Sequence, residues 1–172
     1  MHYFSGFSLQ KEKELFHDYL IESETCVAGF SYGAQQAFEY VYHSSVRIDR
    51  LILLSPAFFQ TQKKSFIRTQ LRYFDTNKST YIKTFLNNVT YPSSFDLDAY
   101  VDIGTVDELE KLLTYIWDIE KIQEVLNRGT TIEVFLGEED KIVHTKDTLS
   151  FFKPLVPTYN IKNAGHLLKG HR

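Results

Sequence analysis

Thr25-Cys26-Val27-Ala28-Gly29-Phe30-Ser31-Tyr32-Gly33-Ala34-Gln35-Gln36-Ala37-Phe38-Glu39-Tyr40-Val41 joins three local signals. A short apolar strand runs to Phe30. Gly29-Phe30-Ser31-Tyr32-Gly33 is a Gly-x-Ser-x-Gly corner, and a helical pattern follows from Ala34. A serine held on a tight strand-to-helix turn points its hydroxyl out of the backbone at the edge of a sheet. The flanking glycines allow the sharp turn and the close approach of neighbouring chain. The pentapeptide alone is a weak signal; its strand–turn–helix setting is a strong one. Ser31 is therefore a candidate nucleophile, weighed against a purely structural turn serine.

Working outward, Met1-His2-Tyr3-Phe4 reads as a first strand and Ser5-Gly6-Phe7-Ser8 as a loop. Lys11 to Ile21 places Leu15, Tyr19 and Leu20 on one face, which predicts an amphipathic helix. The helix after Ser31 extends to about Tyr42, where His43-Ser44-Ser45 breaks it. Ile48 to Leu54 is a third strand. Its run Leu51-Ile52-Leu53-Leu54 suits a parallel strand covered on both faces. From Phe58 to about Asn127 the pattern is helical, with a break at Tyr91-Pro92-Ser93-Ser94 and a capping box at Thr105–Glu108. Thr131 to Leu136 is a fourth strand, Thr148 to Phe152 a short helix, and Thr158 to Ile161 a last strand. Strands alternating with helices predict an α/β fold with a parallel sheet. The expected organisation is a single domain, 1–172, with a helical lid at 58–127. That lid would cover the carboxyl ends of the strands, where open α/β sheets place their sites.

A chain of 172 residues can bury a real core. Its 43% hydrophobic content excludes a disordered chain, and 15% aromatics suggest a pocket or packed lid besides the core. A formal net charge of -3 points to neither nucleic acid nor an anionic membrane. Cys26, the lone cysteine, reads as a buried structural thiol. No apolar run is long enough to span a bilayer. The N-terminus shows no basic region followed by a long apolar stretch, so the expected compartment is the cytoplasm. No Cys or His cluster has metal-ligand spacing and no phosphate-cradling Gly loop is present, so neither metal nor cofactor is expected.

A serine needs a base, and the base needs an orienting acid. Two strand ends downstream offer them. Gly137-Glu138-Glu139-Asp140-Lys141-Ile142-Val143 supplies Asp140, with Glu138 and Glu139 as adjacent rivals. Asn163-Ala164-Gly165-His166 supplies His166; His144 and His171 compete without following a strand in the same way. His17 and His43 lie on predicted helices and are expected to face solvent.

The order Ser31, Asp140, His166 resembles the serine–acid–histidine order of the α/β-hydrolase fold, and the resemblance covers nearly the whole chain. Ser5-Gly6-Phe7 resembles that family's oxyanion loop, with serine where histidine is usual. The resemblance implies that the backbone amides of Phe7 and Tyr32 hold the oxyanion. The usual early strands are missing, which implies a sheet of about five strands with the first on an edge that must be covered or paired. Within the fold, the small size, the Ser-Gly-Phe loop, the Gly-Phe-Ser-Tyr-Gly elbow and a basic lid helix resemble a narrower group. These are the short pimeloyl-[acyl-carrier protein] methyl ester esterases of biotin synthesis.

In the lid segment Thr61 to Arg72, Lys64, Arg68 and Arg72 recur at every fourth position and share one helix face. Such a stripe is commonly a solvated face; here it is also a candidate docking surface for an acidic acyl carrier protein and its phosphopantetheine arm. The resulting expectation is a serine carboxylesterase acting on a carrier-borne acyl chain. A general small-ester hydrolase or acyl thioesterase without a carrier partner remains open, as does an inactive hydrolase-fold binding protein.

Overall fold

The apolar runs become the strands of one sheet. The computed structural model describes residues 1–171. β1 (His2–Phe4), β2 (Cys26–Phe30), β3 (Arg50–Leu54), β4 (Thr131–Gly137) and β5 (Thr158–Ile161) lie side by side in that order. All four pairings are parallel, with Val27 opposite Leu51 and Leu51 opposite Ile132. This is the reduced, five-stranded α/β sheet expected. β2 is buried at every residue, and so is β3 after Arg50, which is why both read as unbroken apolar runs. β1, only three residues long, and β5 form the edges.

Six α-helices follow from the helical patterns: α1 (Tyr32–His43), α2 (Lys64–Thr76), α3 (Lys78–Thr90), α4 (Val106–Thr114), α5 (Ile119–Asn127) and α6 (Thr145–Phe152). α1 covers one sheet face, burying Ala37, Phe38 and Val41. Its opposite side carries charged and polar groups, including Glu39, which binds Lys121 of α5 at 3.1 Å. Burying a side chain the size of Phe38 stabilises the fold by roughly 1.5–3 kcal/mol. The α4 capping box forms as read: the Glu108 amide donates to Thr105 Oγ1 at 3.2 Å and the Thr105 amide to Glu108 Oε2 at 2.7 Å.

Two local expectations meet a different outcome. Lys11 to Ile21 is not an α-helix; only Glu12–Phe16 coils, as a 3₁₀ turn. Contacts to other segments accompany this shorter coil. Glu12 turns inward to the Gly6 amide, Phe16 is fully buried, and the Tyr19 hydroxyl donates to the Leu168 carbonyl at 3.2 Å. Within 58–127, α5 differs from the helices before it. Ile122 and Val125 pack with Phe38 and Trp117 beneath the sheet, beside α1. α2, α3 and α4 form a separate cluster over the strand ends, built on Phe74, Ile82, Leu109 and Leu112. No helix among the described residues is long and apolar enough to cross a membrane.

Candidate active site

Every strand carries a candidate site residue or loop at its carboxyl end. Ser5–Ser8 follows β1, Ser31 follows β2, Ser55 follows β3, Asp140 lies beyond β4 and His166 beyond β5. A parallel sheet aligns these ends on one edge, so residues far apart in sequence converge.

Ser31 occupies the single residue between β2 and α1, with φ 53° and ψ -115°. That is a strained position for a residue with a Cβ, and such strain gathers at functional turns. Backbone contacts hold it: its amide donates to Leu54 O at 2.9 Å, and its carbonyl accepts from Ala57 N–H at 3.1 Å. The flanking glycines answer to close approach. A Cβ on Gly29 would lie 2.1 Å from the Gly33 carbonyl oxygen. One on Gly33 would lie 2.1 Å from the oxygen of Phe4 and 2.4 Å from that of Ser5. Gly33 thus lets the serine corner rest backbone-to-backbone against the loop after β1.

The structure brings Ser31, His166 and Asp140 together. His166 Nε2 is 2.9 Å from Ser31 Oγ, and His166 Nδ1 is 2.6 Å from Asp140 Oδ2. The imidazole is fully buried and the Asp140 side chain is 1% exposed, so water does not compete for these bonds. A carboxylate only accepts, so Nδ1 carries the proton and Nε2 is left to accept from the serine hydroxyl. Asp140 is itself fixed: Oδ1 accepts the amides of Ile142 at 2.7 Å and Val143 at 3.0 Å. The rivals are elsewhere. His144 pairs with Asp147, His171 approaches Glu139 at 3.7 Å, and Glu138 accepts from the Asn163 amide.

Ser55 is a site residue that sequence reading passed over as a strand terminator. It is fully buried at φ 41°, and its hydroxyl donates to the His166 carbonyl at 2.7 Å. It fixes the backbone of the histidine from the neighbouring strand end. Its only sequence signal was its place directly after the third strand.

Phe7 and Ser31 line one cavity of about 510 Å³. The Phe7 amide donates to no acceptor among the described residues. Tyr32 opens α1, and the first amides of a helix have no intrahelical partner. The Phe7 ring packs on Phe74 of α2 and Phe85 of α3, so the β1 loop is also part of the cavity roof. Phe59, Phe66, Leu109 and Leu112 form an apolar wall, while Thr80, Thr84 and Asn88 line the α3 side at every fourth residue. Lys64, Arg68 and Arg72 are exposed on the outer face of α2, away from this lining. None of the three forms an ion pair among the described residues. Among those residues no cluster of three or more His, Cys, Asp or Glu side chains could hold a metal ion.

This sheet and its strand-end loops are those of the α/β-hydrolase fold. The chain is similar in structure to MenH from S. aureus, with TM-score 0.60, 13% identity, and 95% of this chain and 85% of that one covered. It is similar to BioG from Haemophilus influenzae, with TM-score 0.59, 12% identity, and 96% and 87% covered. It also resembles the naproxen esterase (carboxylesterase NP) of Bacillus subtilis, with TM-score 0.55 and 20% identity over 83% of this chain. This chain spans only about half of that esterase, 53% of its length. The sequence matches no family model and no curated protein.

Proposed function

We propose that the protein is a serine carboxylesterase that hydrolyses the methyl ester of a pimeloyl chain carried by acyl carrier protein. The observation that carries the hydrolase reading is the buried relay Ser31–His166–Asp140 at the floor of an apolar cavity. His166 Nε2 takes the proton from Ser31 as Oγ attacks the ester carbonyl. Asp140 holds the tautomer and stabilises the imidazolium. The amides of Phe7 and Tyr32 receive the oxyanion. Methanol leaves with the proton from His166, which then activates water to release the free carboxylate.

The substrate half of the proposal rests on the lid and on the sequence motifs, because structural likeness at 12% identity carries the fold alone. From Lys63 to Lys83 the α2–α3 hairpin has four lysines and two arginines against one acid, Asp75, in a chain of net charge -3. That asymmetry suits an acidic carrier. A cavity of about 510 Å³ with an apolar wall facing uncharged Thr and Asn groups suits an acyl chain on an amide-bearing arm. With the carrier docked outside, the chain enters tail first. The distal ester reaches Ser31 while the thioester stays outside, so the ester is cut and the thioester spared.

The test is turnover of methyl-capped acyl-carrier substrates of varied length. Methanol release is expected. Release of free thiol instead would make the protein a thioesterase. No turnover of any ester, with no labelling of Ser31 by a fluorophosphonate, would refute the hydrolase reading itself.

A further inference from the structure

We infer that Glu12 is the positioning residue of the oxyanion loop, locking the glycine that precedes the Phe7 donor; this rests on the esterase reading above. Glu12 is fully buried and pairs with no cation among the described residues. Its Oε1 accepts from the Gly6 amide at 2.8 Å and from the Tyr3 hydroxyl at 3.2 Å. Burial, together with the carboxylate beside it, pushes the Tyr3 hydroxyl far above its ordinary pKa, so Tyr3 stays a donor. Glu12 Oε2 is buried with no hydrogen-bond partner among the described residues. An unmatched buried carboxyl oxygen is unfavourable for stability. Breaches of this kind concentrate where function requires them.

The requirement lies in Gly6. Lacking a Cβ, it has more conformational freedom than any other residue of the loop, and rotation about it would turn the Phe7 amide away. Two bonds remove that freedom. Glu12 holds the N–H on one side of Gly6. The Gly6 carbonyl accepts from the Leu9 amide at 3.1 Å on the other. In a trans peptide the N–H points opposite to the C=O. Fixing the Gly6 carbonyl towards Leu9 therefore sends the Phe7 N–H the opposite way. The outer end of the loop is pinned independently, by Gly104 N–H to Ser8 Oγ at 3.1 Å and Asp102 N–H to Ser8 O at 3.0 Å. Among the described residues, Glu12 is the side chain that hydrogen-bonds the inner end.

The experiment compares wild type with Glu12→Leu, which fills the buried space without an acceptor, and Glu12→Gln, which keeps one. On a small soluble ester, Glu12→Leu should lower kcat by roughly 10²–10³-fold, the effect of losing one oxyanion donor. KM should stay within about 2-fold and Glu12→Gln within about 5-fold of wild type, since binding and the acceptor survive. A merely structural role would not alter the preference for an ester over its thiono (C=S) twin. Glu12→Leu should shrink that preference at least about 10-fold, because the donors no longer meet an oxygen anion. Unchanged preference, or equal kcat losses in both variants, would overturn the inference. Amide hydrogen exchange reads the loop without catalysis: Gly6 should be protected in wild type and Glu12→Gln and exchange freely in Glu12→Leu. Equal Gly6 protection in all three would refute the lock, even if the wild type hydrolysed no ester and the esterase reading had failed. Should Glu12→Leu not fold, a Glu12→Gln protein with unprotected Gly6 would refute it alone.

Discussion

Asp140→Asn gives the sharpest test of the buried relay, because the structure dictates how the new amide must sit. Oδ1 of Asp140 receives two backbone N–H donors, from Ile142 at 2.7 Å and Val143 at 3.0 Å. Asparagine must leave its carbonyl oxygen there. Its NH₂ then faces His166 Nδ1, which at present sits 2.6 Å from a carboxylate oxygen. A donor in that place requires Nδ1 to accept, so the ring proton moves to Nε2. Nε2 then donates to Ser31 and can no longer take its proton. The flipped asparagine would restore the tautomer but would leave two buried amides facing donors, at about 1–3 kcal/mol each. A total of about 2–6 kcal/mol converts to a loss of roughly 30- to 3 × 10⁴-fold at 1.36 kcal/mol per decade. The roughly 10⁴-fold loss from the same change in a serine–histidine–aspartate protease lies within that range. The assay is kcat on a soluble ester, with circular dichroism to confirm the fold and nitrogen NMR of the imidazole to locate the proton. A folded Asp140→Asn protein losing less than about 10-fold, or keeping its proton on Nδ1, would refute the reasoning.

Ser31→Ala should abolish ester turnover and fluorophosphonate labelling while the melting temperature holds; a folded variant near wild-type turnover would remove Ser31 from the mechanism. Gly33→Ala puts a Cβ 2.1 Å from the Phe4 oxygen, and forcing the elbow off the oxyanion loop should cost about 1–3 kcal/mol and most of kcat, read by denaturant unfolding and turnover; wild-type stability and rate together would contradict the packing. Neutralising Arg68 and Arg72 removes two exposed charges, each worth about 0.2–1 kcal/mol, so carrier-linked kcat/KM should fall roughly 2- to 30-fold and small-ester turnover should hold; added salt should mimic the change, and equal losses on both substrates would sink carrier docking. Burial raises the Glu39 pKa, but hydrogen bonds from Tyr115 and Lys121 outweigh it and hold the carboxyl below its ordinary value. A lowered folded pKa stabilises above the unfolded pKa and fades as pH falls through the folded one. The stability gap between wild type and Glu39→Gln should therefore close on acidification below the usual glutamate range, and a gap constant with pH would contradict the pairing.

How much of this was legible depends on where the determining contacts lie. The corner at Ser31 is local: strand, turn and helix succeed one another within 25–41, and the glycines follow from backbone approach at that point. The parallel sheet of about five strands was legible because apolar runs alternate with helical patterns, and parallel neighbours need crossovers. Asp140 and His166 could be named because a parallel sheet aligns its carboxyl ends, although His166 lies 135 residues from the serine it touches. Contacts made across the fold were not legible. The amphipathic pattern of Lys11 to Ile21 is real, but Glu12, Phe16 and Tyr19 each answer to a different partner in another part of the fold, which the pattern does not encode. α5 carries the same helical periodicity as α2, and nothing in that period says whether an apolar face meets the lid or the layer beneath the sheet. Ser55 and Glu12 show the limit most plainly. Each is a polar residue whose role lies in one hydrogen bond to the backbone of another segment, 111 residues away for Ser55.

Contacts of the same long-range kind also hold the loop after β1. β1 forms one edge of the sheet among the described residues, and the loop after it is held by contacts from neighbouring segments. Gly33 seats the loop on the elbow, Glu12 fixes its inner amide, and the 101–104 segment holds its outer end. Phe7 then passes the constraint to the lid through Phe74 and Phe85. Any movement of α2 or α3 therefore bears on Phe7, whose amide is proposed to meet the oxyanion. On that proposal, cavity occupancy and donor alignment are coupled through one aromatic side chain. A Phe7→Ala substitution should loosen that coupling and lower kcat for a long acyl ester, which packs against α2 and α3, by more than for an acetyl ester, which reaches only Ser31. Paired kcat measurements on the two esters decide it, and an equal loss on both would show that the ring supports the loop alone.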